Sequence, residues 1–237
     1  SREETLRERI ERIKRKSEED VERIKRTLDR EREENEETVR RIKETVDRLR
    51  EEVERELKDD KSLEEIIRRL TELLKKLLEV HEDALRRLDE LVERVLRVHE
   101  EVLEELKRLL ELLEAGLDRK DVRKRLKDIL ERVRRLHEKL KEELKRILDE
   151  YEKKLRELLK ELKDILKDAE ELLKSQPKSR ELDRVEEIIR RIVKKLEEIL
   201  RDLKRRAEDH IRRLTELIER SLKIVRDLAE DIRRAIE

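Results

Sequence analysis

Four histidines are the residues of this chain best suited to change their charge near neutral pH, and each lies on the apolar stripe of a predicted helix: His81, His99, His137 and His210. Histidine has an unperturbed pKa of about 6.5, so a small change of surroundings moves its charge change across the physiological range. Burial favours the neutral ring, and protonation would then favour an open state. The sequence therefore hints at pH sensing.

The histidines do not have the spacing of a metal site. No two of them are four residues apart, and the Glu-x-x-His pattern of carboxylate-bridged di-metal bundles is missing. The residues three positions before them are Leu78, Leu96, Arg134 and Ala207. His99 and His137 are expected near one level and could ligate an ion or a haem across helices. The residues beside them are not small, however, so they leave no room for such a group. We expect no metal and no cofactor.

Catalysis is also not expected. A nucleophile needs a base and an oriented third group in a pocket that excludes water, and a leucine-filled seam between helices offers no such pocket. Glu31 beside His210 could form an acid-base pair, but a glutamate on a helix seam more often extends its carboxylate to solvent or to a cation. The sequence predicts neither an enzyme nor a site for a small-molecule substrate.

The elements that must position the histidines are helices. Of the 237 residues, 57% are charged and 34% hydrophobic, with one Gly, one Pro and no Cys, Met, Phe or Trp. Such a composition with a helical period is typical of coiled coils and long bundles.

Apolar residues occur singly or in pairs, so we expect a soluble protein without a membrane span or targeting signal. Basic and acidic residues, 68 of each, are interspersed, which argues against nucleic-acid and membrane partners.

Three breaks divide the chain into four helices. Ser62 is a predicted N-cap, and Glu65 completes a capping box with it. Gly116 is predicted to end the second helix in the left-handed conformation, whereas Pro177 ends the third and Ser179 caps the fourth. The predicted helices, about 2–58, 62–115, 118–174 and 179–236, have about 55 residues and are therefore roughly 80 Å long.

Apolar residues alternate at spacings of three and four along each helix, a period near 3.5 that is typical of coiled coils and helix bundles. In the fourth helix they are Leu182, Val185, Ile189, Ile192, Leu196, Ile199, Leu203 and Ala207. Loops of about five residues force neighbouring helices to be antiparallel. We therefore expect an all-α fold, a single-chain antiparallel up-down-up-down four-helix bundle that forms one domain over residues 1–237.

The first helix has far fewer apolar residues than the other three. None lies between Leu28 and Val39, and the seam there carries Glu31 and Asn35. One interpretation is a displaceable arm that is held partly by polar contacts. The other, which we favour, is a bundle helix that supplies the polar half of networks in the core.

Antiparallel packing places polar seam residues of different helices at the levels of the histidines. An unsatisfied buried polar group costs about 1 to 3 kcal/mol, whereas a paired one is nearly neutral and fixes helix register. We predict four groups: His81 with Tyr151 and Thr38, His99 with Ser17 and Ser221, His137 with Thr215 and Thr27, and His210 with Glu31 and Asn35. The alternative is that the histidines are partly exposed and have no role.

The use of Gly and Pro only at loops, the capping residues, and the Leu, Ile and Val seams under a Glu, Lys and Arg surface follow rules of helix design. In these features the whole chain resembles computationally designed helical bundles, especially those with hydrogen-bond networks in the core. Such networks often use Ser, Thr, Asn, His and Tyr at seam positions. The resemblance implies a structural scaffold without natural biochemical activity, in which buried networks specify helix packing.

Two other functions are compatible with the sequence. In a pH-responsive switch, histidine protonation would open the bundle or release the first helix, and in a latch a competing helix would release it. Spectrin-like repeats normally carry a core tryptophan, which this chain lacks. We expect a monomer, although apolar residues beyond two seams, at Val80, Leu96 and Leu112, leave self-association or a partner helix open.

Overall fold

A computed structural model of the chain describes residues 5–57 and 63–237. They form four long helices, which are α1 (Leu6–Leu57), α2 (Glu64–Glu114), α3 (Arg119–Lys174) and α4 (Arg180–Ile236). These described ranges contain no β-strand. Nor do they contain a helix long and apolar enough to span a bilayer. The predicted all-α four-helix bundle with long helices is confirmed.

Side-chain caps explain where α3 and α4 begin. A carboxylate oxygen of Asp118 accepts a hydrogen bond from the backbone N–H of Lys120 at 3.1 Å. The hydroxyl oxygen of Ser179 accepts one from the backbone N–H of Leu182, also at 3.1 Å. Each bond satisfies a backbone donor that the first turn of a helix leaves unpaired. The predicted cap at Ser179 is therefore confirmed.

Glycine explains how α2 ends. Gly116 has a φ angle of 100°, and its N–H donates to the carbonyl oxygen of Leu113. Residues with a side chain rarely adopt this left-handed conformation, so the single glycine stands where the backbone needs it, as predicted. The other predicted cap, Ser62, lies outside the described residues, and so do the predicted ends of the first helix at 2 and 58 and the start of the second at 62.

The chain divides into two compact units, and every helix contributes a segment to each of them. Unit 1 comprises Ser1–Arg32, Leu88–Arg146 and His210–Glu237, and unit 2 comprises Glu33–Arg87 and Ile147–Asp209. Each unit has an aliphatic core of its own. The single domain over 1–237 stays a prediction.

In unit 1 the core contains fully buried aliphatic side chains from three helices, among them Leu106, Val122, Val133, Val225 and Ile232. Ion pairs line the contact of α2 with α3: Arg94 meets Glu143, and Glu105 meets Arg132. Numbers on α3 fall as those on α2 rise, so the two helices are antiparallel.

Unit 2 is built in the same way. Its core includes Leu63, Leu70, Leu162, Ile165 and Ile192, all with no exposed surface. On the contact of α2 with α3, Arg69 pairs with Asp168 at 2.5 Å, Lys76 with Glu161 at 3.4 Å, and Arg87 with Glu150. Arg69 and Arg87 are 18 residues apart, and so are their partners, an interval of about five helical turns.

Candidate functional site

All four histidines are buried in the helix contacts. The exposed fraction is 2% for His81, 0% for His99, 1% for His137 and 3% for His210. Each occupies a position of the apolar stripe of its helix, which turns the ring toward the neighbouring helices. The alternative of partly exposed histidines is therefore wrong.

In unit 1, Ser221 on α4 meets two histidine rings on two other helices. Its hydroxyl oxygen lies 2.5 Å from Nδ1 of His99 on α2 and 3.5 Å from Nε2 of His137 on α3. Nδ1 of His137 lies 2.8 Å from the carbonyl oxygen of Val133, one turn earlier on the same helix. Three helices are thus joined at one level of the core. We call His99, His137 and Ser221 the serine cluster.

The carbonyl of Val133 fixes the tautomer of His137. A carbonyl oxygen only accepts hydrogen bonds, so Nδ1 of His137 carries the proton and Nε2 of the neutral ring is an acceptor. The Ser221 hydroxyl can then donate to Nε2 of His137 while Nδ1 of His99 donates to Ser221. Nε2 of His99 is buried and has no hydrogen-bond partner among the described residues. An unsatisfied group of this kind costs about 1 to 3 kcal/mol.

Burial keeps both rings of the serine cluster neutral. Desolvation lowers the pKa of His99 from 6.5 to about 4; the neighbouring His137 adds to the lowering, and Glu100 opposes it. Desolvation also lowers the pKa of His137, although the hydrogen bond to Val133 opposes the shift. The charged form is disfavoured because an aliphatic core cannot solvate it. Protonation of this cluster therefore opposes folding.

In unit 2, His81 on α2 meets Tyr151 on α3. Nδ1 of His81 and the phenolic oxygen of Tyr151 are 2.9 Å apart, and the two rings are tilted by 52°. Tyr151 is 3% exposed, and burial raises the pKa of its hydroxyl well above 10.0. Tyr151 thus stays a neutral hydroxyl that joins α2 to α3, as the matching of helix levels predicted.

A carboxylate lies beside the fourth histidine, in unit 1. Nδ1 of His210 on α4 is 2.7 Å from one oxygen of Glu31 on α1, and the guanidinium of Arg213 is 2.7 Å from the other oxygen. Desolvation alone would raise the pKa of Glu31, but the bonds from His210 and Arg213 outweigh it, and the net shift is downward. Glu31 therefore stays ionised and accepts hydrogen bonds from both side chains. Asn35, predicted beside it, is buried.

The predictions for Ser17, Thr27 and Thr215 were wrong. Ser17 donates to the carbonyl oxygen of Lys14, and both threonines donate to the carbonyl oxygen four residues earlier. The two ring nitrogens of His137 are engaged by Val133 and Ser221 instead. Hydroxyl side chains inside a helix have this local acceptor within reach, so a shared level does not make them partners of a distant ring.

Thr38 and two arginines make further polar contacts of α1 with α4. In unit 2, Thr38 was predicted near His81; it donates to the carbonyl oxygen of Glu34 and accepts from the guanidinium of Arg206 at 3.2 Å. Neither Arg206 nor Arg213 was predicted. The available signal for Arg213 was its place three residues after His210, because residues at that spacing share a helix face.

Comparisons of the chain with protein-family models, with curated proteins and with solved structures found no match. Within residues 5–57 and 63–237, no group of three or more His, Cys, Asp or Glu side chains could hold a metal ion. The buried polar clusters are thus the features from which a function can be proposed.

Proposed function

We propose that the protein is a designed structural scaffold in which buried polar clusters fix the alignment of the helices. The observation that carries this proposal is the contact of Ser221 with both His99 and His137. A hydroxyl that meets rings on two other helices is satisfied in one register only. If a helix slips by a turn, the rings face aliphatic side chains and lose their partners, which costs free energy.

The aliphatic part of the core supplies stability without this selectivity. Leu, Ile and Val seams of similar shape can pack in more than one register, and a buried polar group is a known means of excluding the alternatives. The placement of Gly116 at a helix end and of Ser179 at a helix start supports a designed origin.

The test replaces the serine cluster as a whole, by the triple variant H99L/H137L/S221A. Removing all partners together leaves no unsatisfied group, so we expect equal or higher stability. We also expect loss of the single alignment. Spin labels on cysteines at the exposed positions Glu101 of α2 and Lys223 of α4 would report it, because the chain has no cysteine of its own.

The control is Ser175→Ala, which removes an exposed hydroxyl bonded only to the carbonyl oxygen of Leu172. The distance distribution between the labels should have one narrow peak in the wild-type protein and in this control, and several peaks in the triple variant. One narrow peak in all three proteins would overturn the proposal.

A second candidate is a pH-responsive switch, and the lowered pKa of His99, about 4, favours it. We propose that acid opens the helix contacts of unit 1 because the core of this unit cannot hold a charged ring. The hydrodynamic radius should then increase between pH 6.5 and pH 4 in the wild-type protein, and less in H99L/H137L. A radius that stays constant over this range, or that changes equally in both proteins, would exclude the switch.

A further inference from the structure

The side of α1 that contacts α2 within unit 1 carries charges in a fixed order. From the beginning of the helix they are basic, basic, acidic, basic and basic. We call this set the α1 charge face: Arg7, Lys14, Glu18, Lys25 and Arg32. The intervals are near whole numbers of helical turns, so the five side chains lie along one side of the helix.

Every member of the α1 charge face meets an opposite charge on α2. The nitrogen to oxygen distances are 3.9 Å for Arg7 with Glu114, 3.5 Å for Lys14 with Glu111, 3.1 Å for Glu18 with Lys107 and 3.1 Å for Lys25 with Glu100, and Arg32 contacts Glu93 directly. These residues of α2 form the α2 charge face. Its order is the complement of the order on α1.

The single reversal of sign makes the pattern specific for one register. If α1 slips by seven residues in one direction, Glu18 comes to face Glu100, and in the other direction Lys25 comes to face Lys107. Either slip therefore brings like charges together. Exposed ion pairs add little to stability, but their arrangement decides which partner binds and in which register.

Few apolar contacts accompany these ion pairs. Among the α1 side chains of unit 1 whose placement the structure describes, the buried hydrophobic ones are Ile13, Ile24 and Leu28. Helix α4 alone contributes more than twice as many within the same unit, from Ile211 to Ile236. The order of charges is thus a large part of what distinguishes α1 from another amphipathic helix that could pack against α2 in unit 1.

We propose that unit 1 contains a helix-binding groove that recognises its occupant by charge order, and that a separate helix with the α1 charge face binds there in place of α1. The partner is an amphipathic helix with basic, basic, acidic, basic and basic residues at the α1 intervals. It lies antiparallel to α2 and places its charges against the α2 charge face. Recognition by charge order does not involve the histidines, so its failure can be distinguished from a failure of the proposed scaffold or switch.

The test must weaken the binding of the chain's own α1 to the groove. A tethered segment competes with an added peptide at an effective concentration in the millimolar range. The acceptor is the full chain with K14E, K25E and R32E, in which α1 repels Glu111, Glu100 and Glu93. The probe is a fluorescent peptide with the native sequence of residues 5–32. The matched control peptide carries the same three substitutions as the acceptor. Binding is measured by fluorescence anisotropy, and circular dichroism checks that the acceptor is helical.

We expect the native peptide to bind this acceptor at least about tenfold more tightly than the control peptide in 50 mM NaCl. The difference should shrink in 0.5 M NaCl, because salt screens exposed charges. A reciprocal acceptor, the full chain with E93K, E100K and E111K, should prefer the control peptide instead.

Three results would overturn the proposal: equal binding of the two peptides, the same order of preference for both acceptors, or no binding of either peptide to either acceptor. The reciprocal acceptor guards against a folding defect in the first one, since its substitutions lie on α2 and leave the sequence of α1 unchanged. Inversion of the preference is the result that a general affinity for helical peptides cannot produce.

Discussion

The hydroxyl oxygen of Ser221 lies 2.5 Å from Nδ1 of His99, and neither residue has any exposed surface. The two side chains come from α4 and α2 and meet inside an aliphatic core. A hydrogen bond in such surroundings adds little net stability, but removing one partner leaves the other both unsolvated and unpaired. The cost of breaking the contact therefore exceeds its contribution when intact.

Ser221→Ala should lower the free energy of unfolding by about 1 to 3 kcal/mol, because it leaves ring nitrogens of His99 and His137 unsatisfied. Urea unfolding at pH 7.5 measures the change. The matched control is Ser17→Ala, since Ser17 is also buried but donates only within its own helix. We expect a change within about 0.5 kcal/mol for the control. Equal losses in the two variants would contradict a role for contacts between helices.

Stability should fall as the pH drops from about 6.5 to about 4. The pKa of His99 is lowered to about 4 in the folded protein. Over this pH range His99 is therefore protonated in the unfolded chain but still neutral in the folded chain. The full shift corresponds to about 3 kcal/mol, and below about pH 4 the contribution of His99 is constant. Urea midpoints at pH 7.5, 6, 5 and 4 measure the slope. The slope should decrease in His99→Leu, and an undiminished slope would rule out His99 as its source.

Glu31→Gln should destabilise the protein by about 1.5 to 3 kcal/mol at pH 7.5, because it removes a charged acceptor shared by His210 and Arg213. Glu37→Gln is the control, since Glu37 is exposed and pairs only with Arg41 one turn away. The pKa of Glu31 is lowered in the folded protein, so its contribution is complete above pH 4.5 and is lost as the pH falls through the lowered value. If both variants lose the same amount in urea unfolding, the partly buried carboxylate of Glu31 has no special role.

Amide hydrogen exchange should be fastest, among the helix interiors, over residues 29–38 of α1. Between Leu28 and Val46 the buried residue is Asn35, and the aliphatic residues Val39 and Ile42 are only partly buried. Local opening costs less where fewer apolar contacts must be broken. The comparison is with residues 185–203 of α4, which include the buried Ile192 and Leu203. Equal protection of the two segments would contradict this expectation.

The sequence was sufficient for the helices and for part of the polar contacts. Periodicity and the chemistry of Gly116 and Ser179 determine where helices end and begin. Because the rise per residue is constant, the sequence also predicts which residues of antiparallel helices lie at the same axial level. This was enough to pair His81 with Tyr151 and His210 with Glu31.

The direction in which each side chain points could not be predicted from axial levels. Thr27 and Thr215 were expected at the level of His137, but each satisfies its hydroxyl on its own helix. The carbonyl of Val133 competes for His137 in the same way. Arg213 shares a helix face with His210, but basic residues are frequent on every helix, and which of them reaches Glu31 depends on the rotation of α4.

The ion pairs of Arg69 and Arg87 with α3 are separated by 18 residues on both helices, and Lys14 and Arg32 of α1 show the same interval. Eighteen residues complete about five turns of a straight α-helix, whereas seven residues fall short of two turns by about 20°. The fold can therefore be lengthened in modules. Insertion of one 18-residue block into each of the four helices should return the side chains beyond the insertion to the same side of their helix, so that longer members of a series could keep the same loops and caps.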